Sequence, residues 1–434
     1  MSPEQTVEPP RFESEPTDLA PLRQPIKFPF SGRVAPNPLR KQCTDAGALP
    51  TVNAAMSERL STYSETDREA SGIPLPELVT LYRRWAAGGW GQLVTGNVMI
   101  DHEHLESPGN PIIPVDAPFS GPRFEMFQQL AAAGKEHGSL MVAQVGHAGR
   151  QTTVTMSPIS ASDVQLVAPA MGKTFGVPRA ATHDDIREIV RAFAHAAEFL
   201  EKAGFDGIQL HGAHGYLLAQ FLSLTSNRRT DEYGGSLENR MRIILEVTAA
   251  IKEKVSKDFV LGIKINSVEF QERGFTSDEA TLLCEALEKA GFDYVETSGG
   301  TYEAIGQMYR RESTRAREAY FLEFSEQIAK RVKTTKIYTT GGLKTAAGMV
   351  AVLKTGIDGL GIGRAACQEP DLANKLLSGK VSGIMKYAMG EDDAWARVGS
   401  AVVQIQQMGR GQEPIDLSDA ENVKKVAAIL AAKK

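Results

Sequence analysis

The chain has 434 residues, of which 42% are hydrophobic and 23% are charged, and its formal net charge is −5. These proportions describe a globular protein with a large core, and the charge excludes a basic surface for nucleic acid or an anionic membrane. No apolar run approaches the ~18–20 residues of a membrane span, and the N-terminus lacks the features of a secretory signal. The sequence therefore predicts a cytosolic protein that has neither nucleic acid nor a membrane as a partner.

The N-terminal region changes character twice before regular structure begins. Residues 1–30 are rich in Pro, Glu, Ser and Thr without any period, which predicts a disordered tail. Residues 31–37, SGRVAPN, predict a turn or hairpin. The polar segment Pro38–Thr51 follows, and it has two interpretations: a surface loop, which a barrel tolerates, or a misassigned exon edge.

Apolar strands then alternate with helical patterns from residue 52 onward. The predicted strands are Val52–Ser57, Gly91–Asn97, Leu140–Gly146, Gly207–His211, Val260–Ile265, Tyr294–Thr297, Lys336–Tyr338 and Gly359–Ile362. Eight such units predict an α/β fold, a closed (β/α)8 barrel over residues 31–383. An open doubly wound sheet is the weaker alternative, because the turn after the first strand, Glu58-Arg59-Leu60, lacks a glycine-rich nucleotide-binding sequence.

Several helix ends are marked by their residues. Thr182–Asp185 and Ser277–Glu279 place hydroxyl and acidic side chains at helix starts, where free N–H groups need acceptors. The sequence KAGFD occurs at 202–206 and at 289–293, and it predicts a helix that ends at a left-handed glycine before a strand. Residues 384–434 predict a C-terminal helical extension that packs on the barrel or, alternatively, holds a second subunit in a homo-oligomer. Its amphipathic residues are Trp395, Val402, Ile405 and Met408.

Two histidines and a tyrosine, His211, His214 and Tyr216, follow the predicted fourth strand directly. The ends of parallel strands are where α/β proteins place their chemistry. The residues alone leave two functions open, an oxyanion-binding pair and a metal site, beside a structural role. A zinc site needs a third ligand, and Asp231 and Glu232 lie well downstream, so no metal is predicted. The three cysteines of the chain, Cys43, Cys284 and Cys367, lie far apart in the sequence and form no metal-binding or disulfide pattern.

The stretch HGAHGYLLAQFLS, followed by SNRRTDEYGGSLENR, resembles the old yellow enzyme family of FMN-dependent ene-reductases. The resemblance extends from about Val52 to about Pro370. It implies that NAD(P)H reduces bound FMN, which transfers hydride to the β-carbon of an α,β-unsaturated carbonyl or nitro compound. In this scheme His211 and His214 bind the substrate oxygen, and Tyr216 gives a proton to the α-carbon.

The resemblance also implies flavin contacts at the ends of the first two strands. Ala55, Met56 and Ser57 end the first strand, and Ser57 stands where the family has Thr or Cys facing the flavin. At the second strand the backbone N–H of Asn97 takes the place of a donor to flavin O4.

Three further strand ends complete the implied flavin site. Gln144 matches the residue that binds the pyrimidine edge, and His211 lies beside the flavin as well as the substrate. Lys264 stands where the family more often has Arg, and its charge favours the anionic reduced flavin.

Two glycine-rich turns, TTGGLKT at 339–345 and GLGIGRAA at 359–366, complete the implied site at the phosphate. The residues expected there are Gly341, Gly342, Gly363 and Arg364. The loops Met99–Pro122 and Gln151–Ala181 are expected to cover the site, and Tyr302 and the stretch Tyr309–Arg317 to line it.

Three other functions remain as alternatives. A flavin-binding homologue with an isomerase or a redox-silent ligand-binding role is the main one, because Ser57 and Lys264 depart from the family pattern. A dienoyl-CoA-reductase-like enzyme is disfavoured by the missing cysteine cluster and by the absence of a further domain in this sequence. A metal-dependent hydrolase or lyase would need acidic ligands at several strand ends. The physiological substrate and the choice between NADH and NADPH cannot be read from the residues.

Overall fold

The computed structural model describes residues 8–42, 57–155, 157–168, 174–303, 321–390 and 394–432. The strands in chain order are β1 (Ile26–Lys27), β2 (Val34–Ala35), β3 (Leu39–Gln42), β4 (Gln92–Met99), β5 (Leu140–Gly146), β6 (Ile159–Ser160), β7 (Arg179–Ala180), β8 (Gly207–Gly212), β9 (Val260–Asn266), β10 (Tyr294–Ser298), β11 (Lys336–Thr340) and β12 (Gly359–Ile362). Eight of them form a closed parallel barrel in the order β3-β4-β5-β8-β9-β10-β11-β12, and β12 pairs with β3. The predicted (β/α)8 barrel is therefore confirmed.

Helices cover the outside of this barrel. They are α1 (Pro76–Ala86), α2 (Gly121–Lys135), α3 (His183–Lys202), α4 (Leu217–Leu222), α5 (Leu237–Arg240), α6 (Arg242–Lys254), α7 (Ser277–Lys289), α8 (Leu322–Ala329), α9 (Ala346–Leu353), α10 (Arg364–Gln368), α11 (Leu372–Ser378), α12 (Ala394–Gly409) and α13 (Ala420–Ala432). Within the described ranges, no helix is both long and apolar enough to cross a membrane.

The predicted helix caps are present in the structure. Thr182 caps α3 and forms a reciprocal capping box with Asp185. Thr276 caps α7 and forms the same box with Glu279, so this cap lies one residue earlier than predicted. Each box gives acceptors to N–H groups that the helix cannot satisfy itself.

The two KAGFD sequences form the same helix-to-strand turn. Gly204 has φ +96 and Gly291 has φ +80, which is the left-handed conformation that the prediction required. The following aspartates each accept a hydrogen bond from a backbone N–H of the neighbouring strand, Asp206 from β5 at 2.9 Å and Asp293 from β9 at 3.1 Å. These carboxylates therefore tie each turn to the base of the preceding barrel strand.

The first strand of the barrel differs from the prediction. β3 (Leu39–Gln42) pairs with β4 and β12, in the position that the sequence analysis gave to Val52–Ser57. Residues 52–56 lie outside the described part of the chain, and Ser57 is not in a strand. The surface-loop interpretation of the segment that begins at Pro38 is therefore wrong for residues 39–42, all of which are buried.

β3 was overlooked because two of its four residues are cations, which are costly to bury without partners. The structure provides partners from distant parts of the sequence. Arg40 donates to Glu296 at 2.8 Å, and its guanidinium lies 4.1 and 3.8 Å from the ring centres of Tyr294 and Tyr338. Lys41 points the other way, with its ammonium 3.2 Å from the ring centre of Trp85 in α1. Cation–π contacts of this kind offset the loss of hydration.

Residues 8–30, which the sequence analysis included in the tail, lie against the barrel in the structure. β1 and β2 form an antiparallel hairpin at the base of the barrel, where Phe28 packs against Tyr294 with ring centres 5.6 Å apart. Before the hairpin, residues 8–25 run along the barrel surface, and we call them the N-terminal strap. Arg11 of the strap donates to Glu369 at 2.8 Å. The hairpin expected from SGRVAPN is thus present, and it begins at Ile26.

The C-terminal extension packs on the barrel, as predicted. α12 lies against α1 and α10. Three of the four amphipathic residues are buried in this contact, namely Val402, Ile405 and Met408. The side chain of Trp395 lies outside the described residues.

We expect Glu296→Gln to lower the free energy of unfolding of the apoprotein by about 3–5 kcal/mol, because Arg40 and the neighbouring Lys264 would stay buried without a carboxylate. Urea unfolding measures the change. Glu188→Gln is the matched control, since Glu188 pairs with Arg191 on an exposed face of α3 and its loss should change stability little. A Glu296→Gln protein as stable as the wild type would contradict this assignment.

Candidate active site

Five of the predicted site residues meet at the carboxyl ends of β4 and β8. Asn97 lies in β4 and His211 in β8, and the Nδ1 of His211 is 2.7 Å from the Oδ1 of Asn97. The Nε2 of His211 is 3.2 Å from the Nδ1 of His214, and the Nδ2 of Asn97 is 3.3 Å from the hydroxyl of Tyr216. Ser57, at 3.5 Å from the same Nδ2, completes the group. The structure therefore assembles the predicted catalytic residues at one end of the barrel.

A strained turn directs His214 into this group. His214 has φ +56 and Gly215 has φ +78, so two consecutive residues are left-handed. Such a φ is unfavourable for histidine, and the surroundings must hold it. The backbone N–H of His214 donates to the Oδ1 of Asn266 at 3.0 Å, and its Nε2 is 2.8 Å from the hydroxyl of Ser298.

The hydrogen bonds correspond to one set of proton positions on the two imidazoles. Because the Oδ1 of Asn97 only accepts, the Nδ1 of His211 carries a proton. The Nε2 of His211 then accepts from the Nδ1 of His214, and the Nε2 of His214 accepts from Ser298. Both imidazoles are thus neutral in this network.

Their surroundings favour the neutral form. Burial, followed by the charge of Lys264, lowers the pKa of His211 to about 3. The same two causes, with His211 as a third, hold the pKa of His214 well below its usual range. Both histidines are therefore neutral at any pH near 7, as hydrogen-bond donors to a substrate oxygen need to be.

Tyr216 lies over His211 and is joined to a second phenol. The ring centres of Tyr216 and His211 are 4.2 Å apart. The hydroxyl of Tyr216 is 3.2 Å from that of Tyr302, which follows β10 and which the sequence analysis expected to line the pocket. Burial, followed by the charges of Tyr302 and Glu106, raises the pKa of Tyr216 well above its usual value. Tyr216 is consequently a fully protonated phenol near neutral pH.

Arg59 lies at this site although no pattern in the sequence predicted it. Arg59 has φ +53, and its Nη2 lies 3.6 Å from the Oε1 of Glu106. Among the described residues, its Nε and Nη2 are buried without a hydrogen-bond partner. Burial raises the pKa of Tyr302, and the positive charge of Arg59 opposes that effect. Its sequence position after Ser57 and Glu58 carried no signal of this role.

A polar network inside the barrel connects the two residues expected at the flavin pyrimidine, Gln144 and Lys264. Gln144 donates to Gln209 at 2.7 Å, and Gln209 donates to Glu296 at 2.8 Å. The ammonium of Lys264 lies 3.0 Å from Glu296. Burial alone would raise the pKa of Glu296, but the charges of Lys264 and Arg40 outweigh it and lower the pKa to about 2. Two cations and one carboxylate leave one net positive charge.

The other predicted flavin residues divide into two groups. Ala55 and Met56 lie outside the described residues, as does the stretch Tyr309–Arg317 expected to line the pocket. By contrast, the four residues of the two glycine turns line one pocket together with Lys344. They are Gly341, Gly342, Gly363 and Arg364.

The glycine turns fit a phosphate group. Gly341 has φ +104 and Gly342 has φ +79, so both need glycine and can bring the backbone close to a ligand. Guanidinium, ammonium and backbone N–H groups are the donors that phosphate oxygens prefer. The donor set at this end therefore suits the phosphate of FMN, while Gln144 and Lys264 suit its ring.

A second group of titratable residues lies in the loops above β4 and β5. The Nδ1 of His104 and the Nε2 of His147 each lie 3.0 Å from Asp101. The opposite nitrogens accept backbone N–H groups at 3.0 Å, from Ile159 to His104 and from Gly149 to His147. Both nitrogens that face Asp101 therefore carry protons, which favours a structural cluster over a metal site.

Comparisons with known proteins give a consistent result. Residues 53–382 match the model of the NADH:flavin oxidoreductase / NADH oxidase family. The NADH-dependent flavin oxidoreductase nadA of Aspergillus parasiticus is 48% identical over 95% of this chain and 90% of its own length. The NADH-dependent flavin oxidoreductase iccE of Talaromyces variabilis is 37% identical over 67% of this chain and 75% of its own length.

Two solved structures share the fold. An old yellow enzyme homologue from Zymomonas mobilis superimposes with a TM-score of 0.64 at 22% identity, covering 84% of this chain and 94% of that one. A 2-naphthoyl-CoA reductase in complex with 2-naphthoyl-CoA gives a TM-score of 0.71, also at 22% identity. The match covers 83% of this chain but only 53% of that longer protein.

We expect the stability of the protein to fall as the pH drops below about 6.5, partly because of His211. The unfolded chain then binds a proton that the folded protein takes up only near its own pKa of about 3. This one residue should contribute about 2 kcal/mol to the loss between pH 7 and pH 5. Urea unfolding at both pH values should show a smaller loss for His211→Gln than for the wild type. His137→Gln, at an exposed position, is the control, and an equal pH dependence in all three proteins would contradict the prediction.

Proposed function

Because the chain belongs to the NADH:flavin oxidoreductase / NADH oxidase family, we propose that it is an ene-reductase that acts on α,β-unsaturated carbonyl or nitro compounds. The family's flavin is FMN. We propose NADH as the reductant, since the relatives from Aspergillus parasiticus and Talaromyces variabilis are both named NADH-dependent. The observation that carries the proposal is the contact of two neutral histidines with one buried phenol at the mouth of the barrel.

Bound FMN supplies the hydride for the β-carbon of the alkene, after NADH has reduced it. The histidines act on the other end of the conjugated system. A substrate oxygen beside the Nε2 of His211 and the Nδ1 of His214 receives two N–H donors once His211 adopts the Nε2–H tautomer. These donors stabilise the negative charge that develops on the oxygen. The side-chain amide of Asn97 can serve either tautomer, because its NH₂ and its carbonyl can exchange places.

Tyr216 supplies the proton that completes the reduction at the α-carbon. Its raised pKa keeps the proton on the phenol until the substrate carbon becomes basic. Tyr302 then donates to the oxygen of Tyr216 across their 3.2 Å contact. Arg59 is the nearby positive charge that stabilises a phenolate on this pair. We therefore place Tyr216 as the proton donor and Tyr302 as its positioning residue.

The charge cluster inside the barrel supports the same chemistry. Lys264, Arg40 and Glu296 together carry one net positive charge, and Gln144 connects to them through Gln209. We propose that Gln144 and Lys264 would hold the pyrimidine edge of bound flavin, and that this charge would favour its reduced, anionic form. Lys264, which stands where the family more often has Arg, thus keeps a positive charge at this position.

The experiment that tests the proposal is an anaerobic titration of purified protein, followed by its visible spectrum. NADH should bleach the flavin absorbance, and a cyclic enone added afterwards should restore it. NADPH in a parallel titration tests the choice of nicotinamide. A flavin that binds but is not reduced would favour the alternative of a redox-silent ligand-binding or isomerising protein. A protein that bleaches with NADH but is reoxidised only by oxygen would reject the ene-reductase activity.

We expect Tyr216→Phe to slow reoxidation by the enone by roughly 10²–10⁴-fold, the range for loss of a general acid. Reduction by NADH should stay within a few-fold of the wild type, because it needs no proton from this phenol. Tyr302→Phe is the matched comparison, since it removes one hydroxyl from the same pair. It should give a smaller decrease in the same half-reaction. Stopped-flow measurement of the two half-reactions separates these effects, and equal slowing of both would contradict the assigned role.

A further inference from the structure

Both ends of the chain meet at the pocket of the two glycine turns. The barrel contributes Gly342 and Arg364 to its lining, as described above. Three more lining residues come from outside the region that matches the family, which spans residues 53–382. Phe12 belongs to the N-terminal strap, and Tyr387 and Arg397 belong to the C-terminal extension.

We propose that Arg397, on the C-terminal extension, binds the phosphate of FMN, so that the extension completes the cofactor site from outside the barrel. This inference rests on the placement of the FMN phosphate between the two glycine turns. It assigns to the extension a function beyond packing on α1. It also makes the retention of FMN depend on a residue that the matched barrel does not contain.

Tyr387 links Arg397 to the backbone of Arg364, and both arginines line the pocket. The hydroxyl of Tyr387 donates to the backbone carbonyl oxygen of Arg364 at 3.2 Å. The guanidinium of Arg397 lies 5.0 Å from the centre of the Tyr387 ring, within the range of a cation–π contact. Burial raises the pKa of Tyr387, and the charges of Arg364 and Arg397 oppose that effect. One partly buried tyrosine therefore contacts both the backbone of Arg364 and the guanidinium of Arg397 at the same pocket.

The described lining of the pocket is suited to an anion. Lys344, Arg364 and Arg397 are cations, and none of the described lining residues is acidic. A phosphate monoester carries nearly two negative charges at neutral pH and accepts paired hydrogen bonds from guanidinium groups. Two arginines and a lysine around the glycine turns provide more donors than the backbone N–H groups alone.

The N-terminal strap covers the same pocket from the other side. The ammonium of Lys344 lies 4.7 Å from the ring centre of Phe12, and that of Lys386 lies 5.5 Å from it. The backbone N–H of Phe12 donates to the carbonyl of Ile384 at 3.0 Å, and Arg11 is bound to Glu369. The strap thus places an aromatic ring where it limits the access of water to the cations.

FMN and riboflavin together test the proposal, because riboflavin has the same ring without the phosphate. Fluorescence titration of the deflavinated protein gives both dissociation constants. For Arg397→Gln we expect the Kd for FMN to rise roughly 10- to 100-fold, the range for losing a hydrogen bond between charged groups, while the Kd for riboflavin stays unchanged. Arg397→Lys keeps the charge and should lose less. Arg410→Gln removes an exposed arginine just beyond the same helix and should bind both flavins like the wild type.

The other outcomes overturn the proposal in distinguishable ways. An unchanged Kd for FMN in Arg397→Gln would show that this guanidinium does not reach the phosphate. An equal loss for FMN and riboflavin would show that Arg397 only supports the packing of the extension. A wild-type protein that binds neither flavin would reject the proposed function itself, together with this inference. Circular dichroism of each variant identifies a loss of folding, and in that case Arg397→Lys, with its conserved charge, carries the comparison.

Discussion

A single buried carboxylate, Glu296, organises the interior of this barrel. It pairs with Arg40 from β3 at 2.8 Å and with Lys264 from β9 at 3.0 Å, and all three side chains are fully buried. Two cations could not remain there without it, since burying an unpaired charge costs several kcal/mol. The same carboxylate accepts from Gln209, which connects it to Gln144. The structure therefore joins the closure of the barrel and the charge offered to a flavin in one network.

This network also influences the protonation of the histidines proposed for catalysis. Burial and the charge of Lys264 keep both His211 and His214 neutral, while Glu296 acts in the opposite direction on His211. Burial likewise keeps the proton on Tyr216. Neutral imidazoles and a neutral phenol are hydrogen-bond donors over a wide range of pH. An enzyme with such a site should show an acidic limit set by unfolding rather than by protonation of these residues within the folded protein.

Local signals in the sequence were sufficient for most of the fold. Seven of the nine strands from β4 to β12 follow from apolar runs, the exceptions being the short β6 and β7. The caps at Thr182 and Thr276 follow from the residues around them. β3 could not be predicted in this way, because its cations depend on Glu296, which lies 256 residues beyond Arg40. Arg59 was missed for a similar reason: its role comes from the approach of Glu106 and the two tyrosines, which no local pattern contains. The residues proposed for catalysis could be predicted as a group because they lie within six residues at one strand end.

The region that matches the family model is shorter than the folded structure at both ends. The match begins at residue 53, after β3, and ends at residue 382, before the C-terminal extension. The N-terminal strap and the extension lie outside it, and both contribute side chains to the pocket of the glycine turns. The histidines and Tyr216 all lie inside it. The residues proposed for catalysis thus lie in the part of the chain that the family model matches, whereas the pocket of the glycine turns is lined in part by segments outside that match. Substitutions in those segments should change how tightly FMN is held without changing how the bound flavin reacts.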